Sequence, residues 1–183
     1  MTMSDEKVIC YGDSNTFGYD PRSYFGGRYD AECRWVDILA ARTGWELHNN
    51  GINGREIPRR EAEFPESADL LIVMLGTNDL LQGSSVDQVT NRMEVFLNGL
   101  TLEKDKVLLI APPPMQPGEW VLGQGLIDAS MQLAEAYQRL AKRLGVRFAD
   151  AGKWDVSLAF DGVHFTEEGH KAFAEGLFKE LMK

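Results

Sequence analysis

Four short segments carry side chains that could perform acyl chemistry together. Gly12-Asp13-Ser14-Asn15 puts a hydroxyl at the exit of the first apolar run, and Asp161-Gly162-Val163-His164 puts a carboxylate and an imidazole three residues apart near the other end. Between them lie Gly51-Ile52-Asn53-Gly54 and Gly76-Thr77-Asn78-Asp79. A serine hydroxyl is a weak nucleophile at neutral pH and needs a base within hydrogen-bond reach. The base needs an acid to orient it, and a tetrahedral intermediate needs donors aimed at its oxygen.

The chain has three histidines. His48 lies in an expected strand, and His170 falls on the inward stripe of the last helical pattern, where it reads as a core residue. His164 sits in a loop and is the expected base. Asp161 is favoured as its orienting acid because one turn can hold both groups; Asp150 and Asp155 are rivals. The expected oxyanion donors are the backbone N–H groups of Ser14 and Gly54 and the side-chain amide of Asn78. Asn15, Phe17, Leu80, Met115, Trp120 and Val163 are the substrate-binding candidates, with Pro114, Trp154 and Phe160 as further walls. Trp120 stands out because the Pro/Gly-rich segment 112–125 has no helical or strand pattern, so it reads as a lid element.

These side chains need a scaffold that brings four distant segments together. Apolar runs at Lys7–Gly12, Trp45–Asn49, Leu70–Gly76, Lys106–Ala111 and Arg147–Asp150 predict five strands. The unbroken run Leu70-Leu71-Ile72-Val73-Met74-Leu75 suits a parallel strand buried on both faces. Helical stripes alternate with them. Trp35, Ile38, Leu39 and Arg42 mark one, stopped by Gly44. Val86, Val89, Met93, Phe96 and Leu97 mark the next, with Ser85 and Gln88 as a capping box. Leu126, Leu133, Tyr137, Leu140 and Leu144 end at Gly145. Thr166 caps a last helix carrying His170, Phe173, Leu177 and Leu181. The alternation predicts an α/β fold with helices on both faces of a parallel sheet. In such sheets ligands bind beyond the carboxyl ends of the strands, where all the motifs fall.

The four blocks, in this order, resemble the SGNH, or GDSL-type, hydrolase superfamily, whose serine, glycine, asparagine and histidine map onto Ser14, Gly54, Asn78 and His164. Asn15 stands where leucine is commonest, and the second block rests mainly on Gly54. Arg34-Trp35, Met74 to Asp79 and Ala111 to Met115 look most like the arylesterase and acyltransferase branch. The resemblance implies a flavodoxin-like three-layer α/β/α sandwich with five parallel strands. It also implies short-chain ester hydrolysis with Ser14, Asp161 and His164 as triad, and neither metal nor organic cofactor. Some relatives carry a long insertion before strand three that narrows the pocket and builds an oligomer; this chain lacks it, so large assemblies and strong acyl transfer do not carry over.

Bulk properties fit this reading. The 183 residues are expected to form one domain. A net charge of −9 disfavours nucleic acid and anionic membranes as partners. No leader pattern or apolar run near the ~18 residues of a membrane span is visible, so a cytoplasmic location is expected. Cys10 and Cys33 read as reduced structural thiols, and no cluster has zinc spacing. The expected partner is a small-molecule ester, acetylated sugars being one class, with a homo-oligomer left open. Acyltransferase, thioesterase and lysophospholipase activities are alternatives within the superfamily, and a non-catalytic carbohydrate-binding protein is the alternative outside it.

Overall fold

The computed structural model describes residues 6–60, 64 and 67–183. Five strands, β1 (Lys7–Gly12), β2 (Glu46–Gly51), β3 (Leu70–Met74), β4 (Val107–Ala111) and β5 (Arg147–Asp150), form one parallel sheet in the order β2-β1-β3-β4-β5. Among the described residues, six α-helices accompany them: α1 (Ser14–Phe17), α2 (Trp35–Thr43), α3 (Thr77–Leu81), α4 (Val86–Asn98), α5 (Gln124–Leu144) and α6 (Glu167–Leu181).

The strand pleat sorts alternate side chains into two cores. Ile9, Tyr11, Leu71, Val73, Val107 and Leu109 pack with Val89, Met93 and Phe96 of α4 and Leu133, Tyr137 and Leu140 of α5. Val8, Cys10, Leu70, Ile72, Leu108 and Ile110 pack with Trp35, Val36 and Leu39 of α2 and Phe173 and Leu177 of α6. β1, β3 and β4 therefore have both faces covered, which explains their continuous apolar runs. β2 is an edge strand whose residues alternate between exposed and half-buried.

The expected ends shift in three places. β2 starts at Glu46 and runs on to Gly51. β3 stops at Met74, because Gly76 adopts φ 127° and α3 begins at Thr77. A short 3-10 turn, Lys104–Lys106, precedes β4. The expected stops and caps are present: Gly44 and Gly145 close their helices in left-handed conformations, Ser85 and Gln88 form the reciprocal capping box, and Thr166 accepts the Gly169 N–H. No helix among the described residues is long and apolar enough to cross a membrane.

Candidate active site

Register brings the first three motifs to one level. Gly12 at the end of β1 pairs with Gly51 of β2 on one side and Met74 of β3 on the other. The chain leaves all three strands together, so Ser14, the Gly54 turn and Asn78 emerge along the same sheet edge.

Asp13 caps α1 by accepting the Asn15 N–H at 3.0 Å, and Ser14 is the first helical residue. Its Oγ lies 3.0 Å from His164 Nε2. His164 Nδ1 donates to Asp161 Oδ2 at 2.6 Å, which leaves the Nε2 lone pair facing the serine. Asp161 Oδ1 accepts the backbone N–H groups of Val163 and His164, each at 2.9 Å, so one carboxylate fixes both the ring and the turn that carries it. Burial alone would raise the Asp161 carboxyl; the His164 ring and the two backbone donors outweigh it and hold Asp161 below its ordinary value. All three side chains are buried. Gly162, between them, has φ 82°, and a Cβ there would lie 2.1 Å from the Gln116 carbonyl oxygen. A side chain at this position would drive the segment 116–120 off the loop 161–164.

That segment is tied down by three backbone bonds: Gln116 N–H to Gly162 O, Glu119 N–H to Phe160 O and Trp120 N–H to Asp161 O. It delivers the half-exposed Trp120 ring edge-on to the His164 ring, 4.9 Å between centroids. Tyr19 flanks the same imidazole at 4.7 Å.

Two of the three expected oxyanion donors, the Ser14 and Gly54 backbone N–H groups, are engaged by no other group among the described residues. Gly54 has φ 76° on an exposed turn. The Asn78 amide donates to the Arg55 carbonyl at 3.1 Å; among the described residues its only other partner is Asp13 Oδ2 at 3.5 Å, a long contact that leaves one N–H available.

The other candidates separate by burial. Asn15 is buried with both ends of its amide used inside the protein, and Val163 is buried and supplies one of its partners. Leu80 and Met115 belong to the apolar core. These four therefore support the site from behind, which corrects their expected placement against substrate. Phe17 lies half-buried under the Arg28 guanidinium. Trp154 packs on Phe173 and against Gly176 of α6. Pro114 lies beside Gly152, and Phe160 is exposed in a notch with Pro21 and Tyr29. Of the rival acids, Asp150 caps the Gly152 N–H, and Asp155 is exposed. His170 is fully buried, as its place in the stripe predicts. Tyr19 was not legible as a site residue; its only signal is an aromatic five positions after the serine.

The chain matches the model of the GDSL-like Lipase/Acylhydrolase family over residues 10–172. It belongs to that family.

No curated protein matches the chain in sequence. Among solved structures, this GDSL-like hydrolase is similar to a candidate arylesterase from Agrobacterium tumefaciens str. C58, with 29% identity and TM-score 0.81 over 97% of this chain and 98% of that one. It is also similar to the aryl esterase of M. smegmatis, at 26% identity and TM-score 0.80, and to a carbohydrate acetylesterase from Sinorhizobium meliloti, at 25% and 0.81. Both similarities cover 97% of this chain and 98% of the other. The fold is that of the SGNH hydrolases, and the protein is an ester hydrolase.

Proposed function

We propose that this hydrolase is a serine esterase acting on small acyl esters, acetyl groups on carbohydrates among them, and that the chain works as one catalytic domain. The observation that carries the mechanism is the continuous line from Ser14 Oγ through His164 to Asp161, at 3.0 and 2.6 Å. His164 Nε2 takes the Ser14 proton as Oγ attacks the ester carbonyl. Asp161 stabilises the imidazolium that results. The Ser14 and Gly54 N–H groups and the Asn78 amide receive the oxyanion. His164 then protonates the departing alcohol, and a water activated by the same nitrogen releases the acid from the acyl-serine.

The substrate class rests on the three similar esterases and on the surroundings of the base. Because His164 Nε2 serves both the serine and the leaving oxygen, the rings beside it border the alcohol portion. Trp120 and Tyr19 give that side two aromatic surfaces, which suit a flat aryl or sugar ring.

The test is hydrolysis of p-nitrophenyl esters from C2 to C12 by the wild type and Ser14→Ala. Serine-dependent turnover peaking at C2–C4 is expected. A peak at C8 or longer would move the reading to a thioesterase or lysophospholipase, and turnover by Ser14→Ala within tenfold of wild type would remove the mechanism.

A further inference from the structure

Arg55 follows the glycine that offers its N–H to the oxyanion, yet its side chain turns back into the protein. Nη1 donates to the Gly12 carbonyl at 3.0 Å and to the Asn50 carbonyl, and Nη2 lies 3.4 Å from Asn50 Oδ1. The guanidinium carbon sits 4.1 Å from the centroid of the Tyr11 ring. The cation thus bridges the last residues of β1 and β2 while covering an aromatic face. Its own carbonyl accepts the Asn78 amide at 3.1 Å. Two residues on, the Ile57 N–H donates to the buried Asp79 carboxylate at 3.1 Å, which Arg92 holds from its other side. The Gly54 turn has two backbone fastenings, the Arg55 N–H on the Ile52 carbonyl and the Ile52 N–H on the Gly12 carbonyl, both at 3.2 Å, but Gly54 itself is exposed, and a Cβ added there would meet nothing within 4 Å. A donor on an open turn is useful to a transition state only if its neighbours fix it beforehand.

We propose that Arg55 is the positioning residue of the oxyanion site. Its guanidinium pins the Gly54 turn to the ends of β1 and β2, and by holding that turn it also places the Arg55 main-chain carbonyl that aims the Asn78 amide. One residue therefore sets both donors that the nucleophile's own turn does not supply. This rests on the serine-esterase reading. Lysine cannot replace it, because a single ammonium does not bridge two strand ends and cover the Tyr11 ring in one plane.

The experiment is a double-mutant cycle on steady-state p-nitrophenyl acetate hydrolysis, using Arg55→Ala, Asn78→Ala and the double variant, with Ser14→Ala as control. Arg55→Ala should lower kcat by about 30-fold and leave KM within about threefold, as for the loss of aligned oxyanion donors. In the Asn78→Ala background the same substitution should cost less than about fivefold, since one of its two targets is gone. Millimolar guanidinium should restore part of the Arg55→Ala rate and none of the Asn78→Ala rate. Should Arg55→Ala lose its folded signal in circular dichroism, Arg55→Lys carries the same cycle with the same expected non-additivity.

An equal factor in both backgrounds would make Arg55 a general structural residue and overturn the proposal. A rise in KM at constant kcat would place it against substrate and overturn it too. Both outcomes would leave the triad intact, whereas turnover by Ser14→Ala would remove the esterase reading and the Arg55 proposal together.

Discussion

Asn15 and Val163 join the Ser14 turn to the His164 loop: the Asn15 amide donates to the Val163 carbonyl at 3.1 Å. The Asn15 side-chain oxygen completes the clamp by accepting the Phe165 N–H at 3.0 Å, so one amide holds both flanks of His164. The 3.0 Å contact between Ser14 and His164 thus depends on a neighbour that touches neither reacting atom.

Removing that clamp strands two buried backbone groups. Asn15→Ala should cost about 2–4 kcal/mol of stability, from an unsatisfied carbonyl and an unsatisfied N–H. Urea denaturation should show a lower midpoint at unchanged slope. The kcat should fall while KM changes little. A midpoint equal to wild type would show that the clamp carries no load.

Asp13 predicts an unusual pH dependence. Burial pushes its carboxyl up to about 6, against the opposing pull of the Asn15 N–H and of His164 and Arg55. The folded state therefore binds this proton more tightly than the unfolded state does. Its contribution to stability falls as pH rises from about 4 through 6, by at most about 3 kcal/mol. Asp13→Asn keeps an acceptor for the cap and cannot ionise. Its stability relative to wild type should rise between pH 4 and 6 and then level off. Parallel stability curves for the two proteins would contradict this.

His170 predicts the opposite slope. It accepts the Trp35 N–H through Nδ1 at 3.3 Å, and burial, helped by Arg34, lowers its pKa to about 3. The unfolded state binds this proton more tightly, so stability is lost as pH falls below about 6.5, by up to about 1.4 kcal/mol per pH unit. His170→Asn retains an acceptor without the titration. Its thermal midpoint should fall less than that of wild type between pH 6.5 and 5; an identical fall would exclude the role.

Trp120 should act on the alcohol side of the ester. Trp120→Ala should lower kcat/KM for p-nitrophenyl acetate by about tenfold, within the ~1–3 kcal/mol an aromatic surface contributes to binding. The loss should be smaller for ethyl acetate and equal for acetate and butyrate esters of the same alcohol. A loss that tracks acyl length instead would put Trp120 on the acyl side.

Much of this architecture is legible in the sequence because it rests on short-range rules. Apolar runs mark the strands, a left-handed glycine ends α2 and α5, and a Ser85–Gln88 pair opens α4. The juxtaposition of Ser14, His164 and Asp161 is legible because all three sit at element ends whose direction the alternation fixes. The surroundings of the site are not. Asn15, beside Ser14, reads as a substrate-binding residue, and only the approach of the loop 163–165 turns it inward. Leu80 and Met115 follow strand ends, as pocket residues do, yet both close the core between β3, β4 and α5. Arg55 carries no local signal, because its contacts exist only once the ends of β1 and β2 are brought beside it. Periodicity reports which positions are apolar; it does not report where a loop folds.

The central claim is an acyl-enzyme at Ser14 formed with His164 as base. Its most direct test is rapid mixing with p-nitrophenyl acetate, acid quench and mass analysis of the digested protein. The account predicts a burst of one p-nitrophenol per chain and one acetyl group on the peptide containing Ser14, with the burst rate lowered by several orders of magnitude in His164→Ala. Turnover without an acetylated Ser14 peptide, or an acetyl group on another residue whose loss abolishes activity, would contradict it.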